Sequence, residues 1–294
     1  MQDTVQLFVG CDPNNGDLEQ MMVLDYSVRK HASLPVRIHW MRLTRRTDSP
    51  WHCDPSRRSG WRTETWSTPF SALRWSLPAC CNYEGRALYM DADMLVLDDI
   101  APIWRMPLEN DAVMAARRDG DGWLYCVTLW DCARARRHLP DLAAMQRDPD
   151  THGKLKRFFA RRPDLIQPLD ARYNCIDGED LPAEAIGILH YSDMSTQFSH
   201  RYAMRRRLAE GGAHWYDGPV RPHPREDLRD LFDRYYQEAV AAGHRPDDYR
   251  ADPPFGALPK ETQQDYRGNV RRRRRGWWQG LARRLDALRD TAVR

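Results

Sequence analysis

Apolar and polar positions alternate along the chain in the manner of an α/β protein. Val5–Val9 is an apolar run that stops at Gly10 and the turn formers Asp12, Pro13, Asn14, Asn15 and Gly16, which predicts a buried first strand. From Asp17 to Ala32, Leu18, Met21, Met22 and Val28 recur at helical spacing. Val36–Leu43 then sets Val36, Ile38 and Trp40 against Arg37 and His39 with a period of two. Strand, helix, strand at this spacing is one unit of a parallel sheet. Arg86–Met90 predicts a third strand, and Met94–Leu97 resumes extended structure after an Asp-Ala-Asp interruption. Ala112–Ala116, Trp123–Trp130 and Ile186–Tyr191 predict further strands. A helix is expected near Pro69–Cys81, ended or kinked by Pro78, and Ala133–Arg162 is expected to be mainly helical. In Arg225–Ala242 the residues Leu228, Leu231, Phe232, Tyr235 and Ala239 line one helical face.

Two stretches break the pattern. Residues 44–67 are polar, rich in Arg, and carry Trp51, Trp61 and Trp66. A connection that long is functional or mobile, and its tryptophans would either stack on a sugar as a lid or fold back onto the domain. From His244 to Gly268, Pro, Gly, Asp and Gln dominate, as in a linker or a strapped-down extension. The chain thus divides into a domain at 1–243, an extension at 244–268 and a basic amphipathic tail at 269–294.

Composition narrows the class. With 294 residues and 41% hydrophobic content, the chain can bury roughly 75% of its unfolded surface without staples. Its longest apolar runs are about five residues against the roughly 20 of a membrane-spanning helix. Met1-Gln2-Asp3-Thr4 leads into the first strand with no basic or apolar leader, so a cytoplasmic location is expected. Seven Cys, an odd number without a Cys-x-x-Cys pair, fit a reduced compartment. Net charge is +3, but Arg267–Arg294 holds ten Arg and two Asp, so the first 266 residues carry −5. Nucleic-acid binding is therefore not expected of the body. In the tail, Arg271–Arg275 precedes Gly276-Trp277-Trp278, and Leu281, Leu285, Leu288 and Ala292 share a helical face. That pattern predicts a helix lying on an anionic membrane surface through 271–294, with packing on the domain or on another chain as the alternatives.

The chemistry concentrates in Tyr89-Met90-Asp91-Ala92-Asp93-Met94-Leu95-Val96. Two carboxylates interrupt an otherwise buried strand, on one face and about 7 Å apart if extended. Burying both is costly unless a cation compensates them, and a hard divalent metal is a natural one. The same residues would also serve as a turn whose carboxylates cap backbone N–H groups. Ligands of open α/β sheets bind beyond the carboxyl ends of strands, which favours the first reading. Nucleophile triads, Walker loops and Gly-x-Gly-x-x-Gly motifs do not occur.

Tyr89–Ile100 followed by Trp104 resembles the metal-binding segment of family 8 of the glycosyltransferases, retaining enzymes of the GT-A fold that use nucleotide sugars. Phe70–Trp75 with Gly85–Tyr89, the opening Leu7–Pro13, Arg172-Tyr173-Asn174 and Ile188–Met194 resemble further segments of that family, in order, over roughly residues 5–200. The resemblance implies a Rossmann-like GT-A domain with a mixed sheet and a C-terminal helical appendage. It implies that Asp91, Asp93 and His190 hold manganese or magnesium, and that Asp12, Arg74 and Ala92 contact a UDP-sugar, Arg74 at the diphosphate. The implied reaction moves a hexose, with retention, to a saccharide or lipid-linked acceptor, and the tail would place it on the inner face of the membrane; no catalytic base is assigned. The chain departs from the family where His190–Gln197 lacks the usual Gly and Lys, and where Leu124-Tyr125-Cys126 stands for an Asn-Ala-Gly strand. A sugar nucleotidyltransferase and a non-enzymatic adaptor that works through the basic tail are the rival readings. The first would show a basic Gly-rich loop after the first strand, whereas residues 11–16 contain neither Lys nor Arg.

Overall fold

A computed structural model of the chain describes residues 4–193, 195–196, 199–212 and 221–258. The basic tail, with the membrane contact expected through 271–294, lies outside the described residues.

The elements follow in the order β1 (Val5–Gly10), α1 (Leu18–His31), β2 (Val36–Met41), a short hairpin of β3 (Cys53–Asp54) and β4 (Ser59–Gly60), and α2 (Leu77–Cys80). Next come β5 (Arg86–Asp91), β6 (Met94–Val96), α3 (Ala101–Arg105), β7 (Met114–Asp119) and β8 (Gly122–Asp131). After α4 (Cys132–Ala135), α5 (Leu142–Arg147) and α6 (Thr151–Ala160), the chain forms β9 (Ile166–Leu169), β10 (Cys175–Ile176), β11 (Ile188–His190), α7 (Ser199–Ala209) and α8 (Glu226–Ala241).

Six strands form one mixed sheet in the order β2-β1-β5-β8-β7-β9. The pairs β2–β1, β1–β5 and β7–β9 are parallel, whereas β8 runs antiparallel to both β5 and β7. The expected mixed α/β architecture is therefore present. Both faces of the sheet are covered, as the alternation along each strand shows. Val5, Leu7 and Val9 of β1 and Leu88 and Met90 of β5 enter one core with α1 and α8. Phe8, Ala87 and Tyr89 enter a second core around Trp61, Trp66, Trp75, Trp130 and Phe159.

Local chemistry explains where the expected elements changed shape. The helix expected near Pro69–Cys81 is a 3-10 turn, Leu73–Ser76, followed by α2. Pro78 neither ends nor kinks it, because it occupies the first turn of α2, where its missing N–H costs no hydrogen bond. Of the three loop tryptophans, Trp61 and Trp66 fold back into the second core with ring centroids 5.6 Å apart, and Trp61 Nε1 donates to the Pro50 carbonyl at 2.9 Å. Trp51 instead lines a cavity of about 550 Å³ with Arg42, Arg45, Arg46 and Phe255.

Helix α1 is buried from Leu18 to Asp25, beyond what one apolar stripe would require. The sheet covers one side and the C-terminal elements cover the other. Arg206 of α7 reaches across to Glu19, with Nε–Oε1 at 2.6 Å, and donates to the Asn15 carbonyl at 2.7 Å. The face predicted for α8 is the one that packs here, with Leu228, Leu231, Phe232, Tyr235 and Ala239 all buried. Beyond it, residues 244–258 are strapped over the β1–α1 loop. Asn15 exchanges two hydrogen bonds with the Ala251 backbone, at 2.7 and 3.3 Å, and Asn14 exchanges two with that of Gly256, at 2.8 and 2.9 Å.

In the second core the His152 ring accepts a hydrogen bond from Trp75 Nε1 at 3.0 Å. Burial, then the nearby Arg74 and Lys156 charges, hold its pKa well below the ordinary 6.5. Above pH 6.5 the ring is neutral in folded and unfolded chains alike and costs nothing. As pH falls below that value only the unfolded chain takes up the proton, so stability is lost at up to about 1.4 kcal/mol per pH unit. Urea unfolding of wild type and His152→Gln between pH 7.5 and 5 should show this decline shallower in the variant. Parallel pH profiles would assign the loss to other groups.

Candidate functional site

Gly10, the last residue of β1, pairs with Asp91, the last residue of β5, so the two strands end at one level. The Ala92 N–H donates to the Gly10 carbonyl at 3.1 Å, turning the chain through Ala92-Asp93 into β6. That strand belongs to a second, three-stranded sheet in the order β10-β11-β6, where His190 pairs with Met94. The antiparallel pairing brings His190, far along the chain, back to Asp93.

Asp91 is 6% exposed, and its Oδ1 accepts from Tyr89 Oη at 2.5 Å and from Arg74 Nη2 at 3.0 Å. Tyr89 and Asp91 are two residues apart on one strand and so share a face. Gly10 permits this arrangement: a Cβ there would stand 2.4 Å from Tyr89 Oη and 2.9 Å from a Phe70 ring carbon. Arg74, carried by the 3-10 turn, also donates through Nη1 to the Tyr125 carbonyl at 2.7 Å and through Nε to the Ser71 carbonyl at 3.0 Å. Burial pushes the Asp91 pKa up, Arg74 opposes that rise, and Asp93 adds to it. Burial also works against the Arg74 charge, but Asp91 and Tyr89 hold the guanidinium firmly protonated.

His190 is 4% exposed, with Nε2 3.2 Å from Asp93 Oδ1 and a buried Nδ1 that has no hydrogen-bond partner. Burial disfavours its charged form, but Asp93 and then Cys126 outweigh this and raise its pKa well above 6.5.

Cys126 enters through a defect in the sheet. Ala116 of β7 pairs with Thr128 of β8, yet the next residue, Arg117, pairs with Leu124. Tyr125, Cys126 and Val127 thus bulge out of the β7–β8 ladder, as strands commonly do beside sites. The bulge directs the Tyr125 carbonyl to Arg74 and leaves Cys126 at the mouth of the site. Donor atoms of Asp91, Cys126 and His190 all lie within 4.8 Å of one another. A carboxylate, a thiol and an imidazole with an unused buried nitrogen fit a divalent cation.

The residues singled out in the sequence are placed as follows. Asp91, Ala92, Asp93 and His190 gather where the two sheets meet, with Arg74 beneath Asp91 and each of its three nitrogens donating within the protein. Asp12 lies two residues beyond Gly10, 2% exposed; its Oδ2 accepts from the Asn14 and Gly16 N–H groups at 2.9 and 2.7 Å, shaping the loop. Tyr89 and Cys126 escaped the sequence reading. The i, i+2 spacing of Tyr89 and Asp91 was an available signal, whereas the departure at Leu124-Tyr125-Cys126 marked that segment without giving the thiol a role.

No family model matches the sequence. Protein CDI of Arabidopsis thaliana is 31% identical over 118 residues, 39% of this chain and 41% of that protein, so the match spans about two fifths of this curated relative. Among solved structures, glycosyltransferase GlyE of Streptococcus pneumoniae superposes with a TM-score of 0.51 at 17% identity, over 82% of this chain and 63% of GlyE. An active-site mutant of LgtC superposes with a TM-score of 0.50 at 12% identity, over 88% of this chain and 100% of LgtC. The chain has the GT-A glycosyltransferase fold.

Gly10→Ala should destabilise the protein by about 1–3 kcal/mol, since the added methyl meets Tyr89 and Phe70. Tyr89→Phe removes the nearest obstructing atom at the cost of the bond to Asp91. In a double-mutant cycle read by urea unfolding, the double variant should lose less than the sum of the singles. Strict additivity would show that Gly10 is not held by this contact.

Proposed function

We propose that the chain is a metal-dependent glycosyltransferase that moves a hexose from a UDP-sugar to an acceptor hydroxyl with retention of configuration. One observation carries the reading: in a GT-A sheet, carboxylates and an imidazole distant in sequence converge beyond the carboxyl end of β5. This is where ligands of such sheets bind.

Asp91 and His190, with Asp93 against the His190 ring, would hold manganese or magnesium. The bound ion supplies Lewis-acid neutralisation of the donor's diphosphate as the sugar departs. Arg74 acts here chiefly through Asp91, keeping that carboxylate ionised and aimed. The turn from Gly10 to Gly16, fixed by Asp12, would cradle the nucleoside, with Ala92 at the floor beside it. No residue is assigned as a catalytic base.

The acceptor is proposed to be a saccharide or a lipid-linked saccharide, reached by docking the tail at 271–294 on an anionic membrane surface from the cytoplasmic side. Among the described residues no helix is long and apolar enough to cross a membrane. In this reading residues 1–243 carry the chemistry and 244–268 join them to the tail.

Nucleotide diphosphates and UDP-sugars with manganese should raise the unfolding temperature, since a ligand at 100 times its Kd stabilises by about 2.7 kcal/mol. Asp91→Asn, Asp93→Ala and His190→Ala should each cut sugar transfer by at least about 100-fold while the variants still unfold cooperatively. Near wild-type transfer in excess EDTA would refute the metal-dependent reading.

A further inference from the structure

Asp-x-Asp with a histidine is a set of oxygen and nitrogen donors, but here a sulfur donor joins it. Among the described residues, the cluster whose donor atoms all lie within 4.8 Å of one another consists of Asp91, His190 and Cys126. Donors on one tetrahedral ion at roughly 2.0–2.3 Å lie about 3.3–3.8 Å apart, so three atoms now within 4.8 Å of one another would draw together by at most about 1.5 Å to share one. His190 offers the second pointer: Nε2 faces Asp93 at 3.2 Å, while buried Nδ1 has no partner. A ligating histidine typically turns one ring nitrogen to the metal and donates from the other to a carboxylate. Asp93 occupies that outer position.

We propose that Cys126 is a ligand of the cation site, completing a set of Asp91 carboxylate, Cys126 thiolate and His190 Nδ1, with Asp93 orienting the His190 ring. This rests on the cation site read above, adds Cys126 to its donors, and replaces the manganese or magnesium named there with a softer ion. Thiolate and imidazole favour zinc and other borderline ions, whereas an all-oxygen site suits magnesium and manganese. The site therefore prefers zinc or cobalt(II) to magnesium. The bulge in β8 is the device that selects the ion, because it turns Cys126 out of the β7 ladder. On binding, the thiol gives up its proton to solvent and sulfur takes its place on the metal.

Cobalt(II) titration of the full chain, followed by absorbance and equilibrium dialysis, tests this without reference to activity. Wild type should bind cobalt with a sulfur-to-cobalt charge-transfer band in the near ultraviolet, displaced by zinc but not by magnesium. Cys126→Ser should lose the band and at least about tenfold in cobalt affinity. Cys126→Asp should lose the band while still binding cobalt, which guards against a serine variant that fails to fold. Cobalt bound by wild type without the band, or a band that survives in either variant, would overturn the assignment of Cys126 and leave the cation site standing. Uptake of neither cobalt nor manganese by wild type would overturn both.

Discussion

Everything at the mouth of the sheet depends on neutralising one buried carboxylate. An ionised Asp91 left alone among aliphatic side chains would cost several kcal/mol. Instead Arg74 and Tyr89 both donate to a single oxygen, and charge-assisted bonds of this kind contribute about 1.5–3 kcal/mol each. Their placement sets demands elsewhere. Arg74 needs the short 3-10 turn to come within reach, the carbonyls of Ser71 and Tyr125 occupy its remaining nitrogens, and the hydroxyl of Tyr89 leaves room for nothing larger than Gly10. A turn, a bulge and a glycine in three parts of the chain are consequences of the same charge.

The second constraint is that the site straddles two sheets. Asp91 ends a strand of the large sheet and Met94 begins a strand of the small one, so the Ala92-Asp93 turn joins them. Asp91, at the end of a large-sheet strand, is held by Arg74 of the 3-10 turn, whereas Asp93 meets His190 from the small sheet. Each carboxylate is therefore positioned by a different part of the fold.

Much of this was legible in the residues, and what was not has a common cause. The periodicity of α8 named its buried face, and an apolar strand stopping at Asp-Ala-Asp marked the centre of the site. The likeness of 188–194 to a known segment brought in His190 across about a hundred residues. Cys126 lay in a segment noted for departing from its family pattern, but its nearness to Asp91 and His190 depends on a register slip between β7 and β8, a relation between strands that no local pattern encodes. The strap was only half visible for the same reason. Its Pro- and Gly-rich composition announces irregular backbone, but the partners of Asn14 and Asn15 are set by tertiary placement. Trp61 and Trp66 looked equally suited to a lid, and burial in the second core decided the matter.

The strap also has a bearing on when the protein can become itself. Asn14 and Asn15 find their backbone partners 242 and 236 residues later. During synthesis the loop after β1 emerges well before the groups that fix it, which follow 236 to 242 residues later. Contacts of such long range are closed late and slowly. Until then α1 also lacks the cover of α7 and α8, and its apolar surface is open to solvent. The nascent chain is thus most vulnerable to misassociation at α1, and the completion of the loop between β1 and α1 is a timer for the folded body.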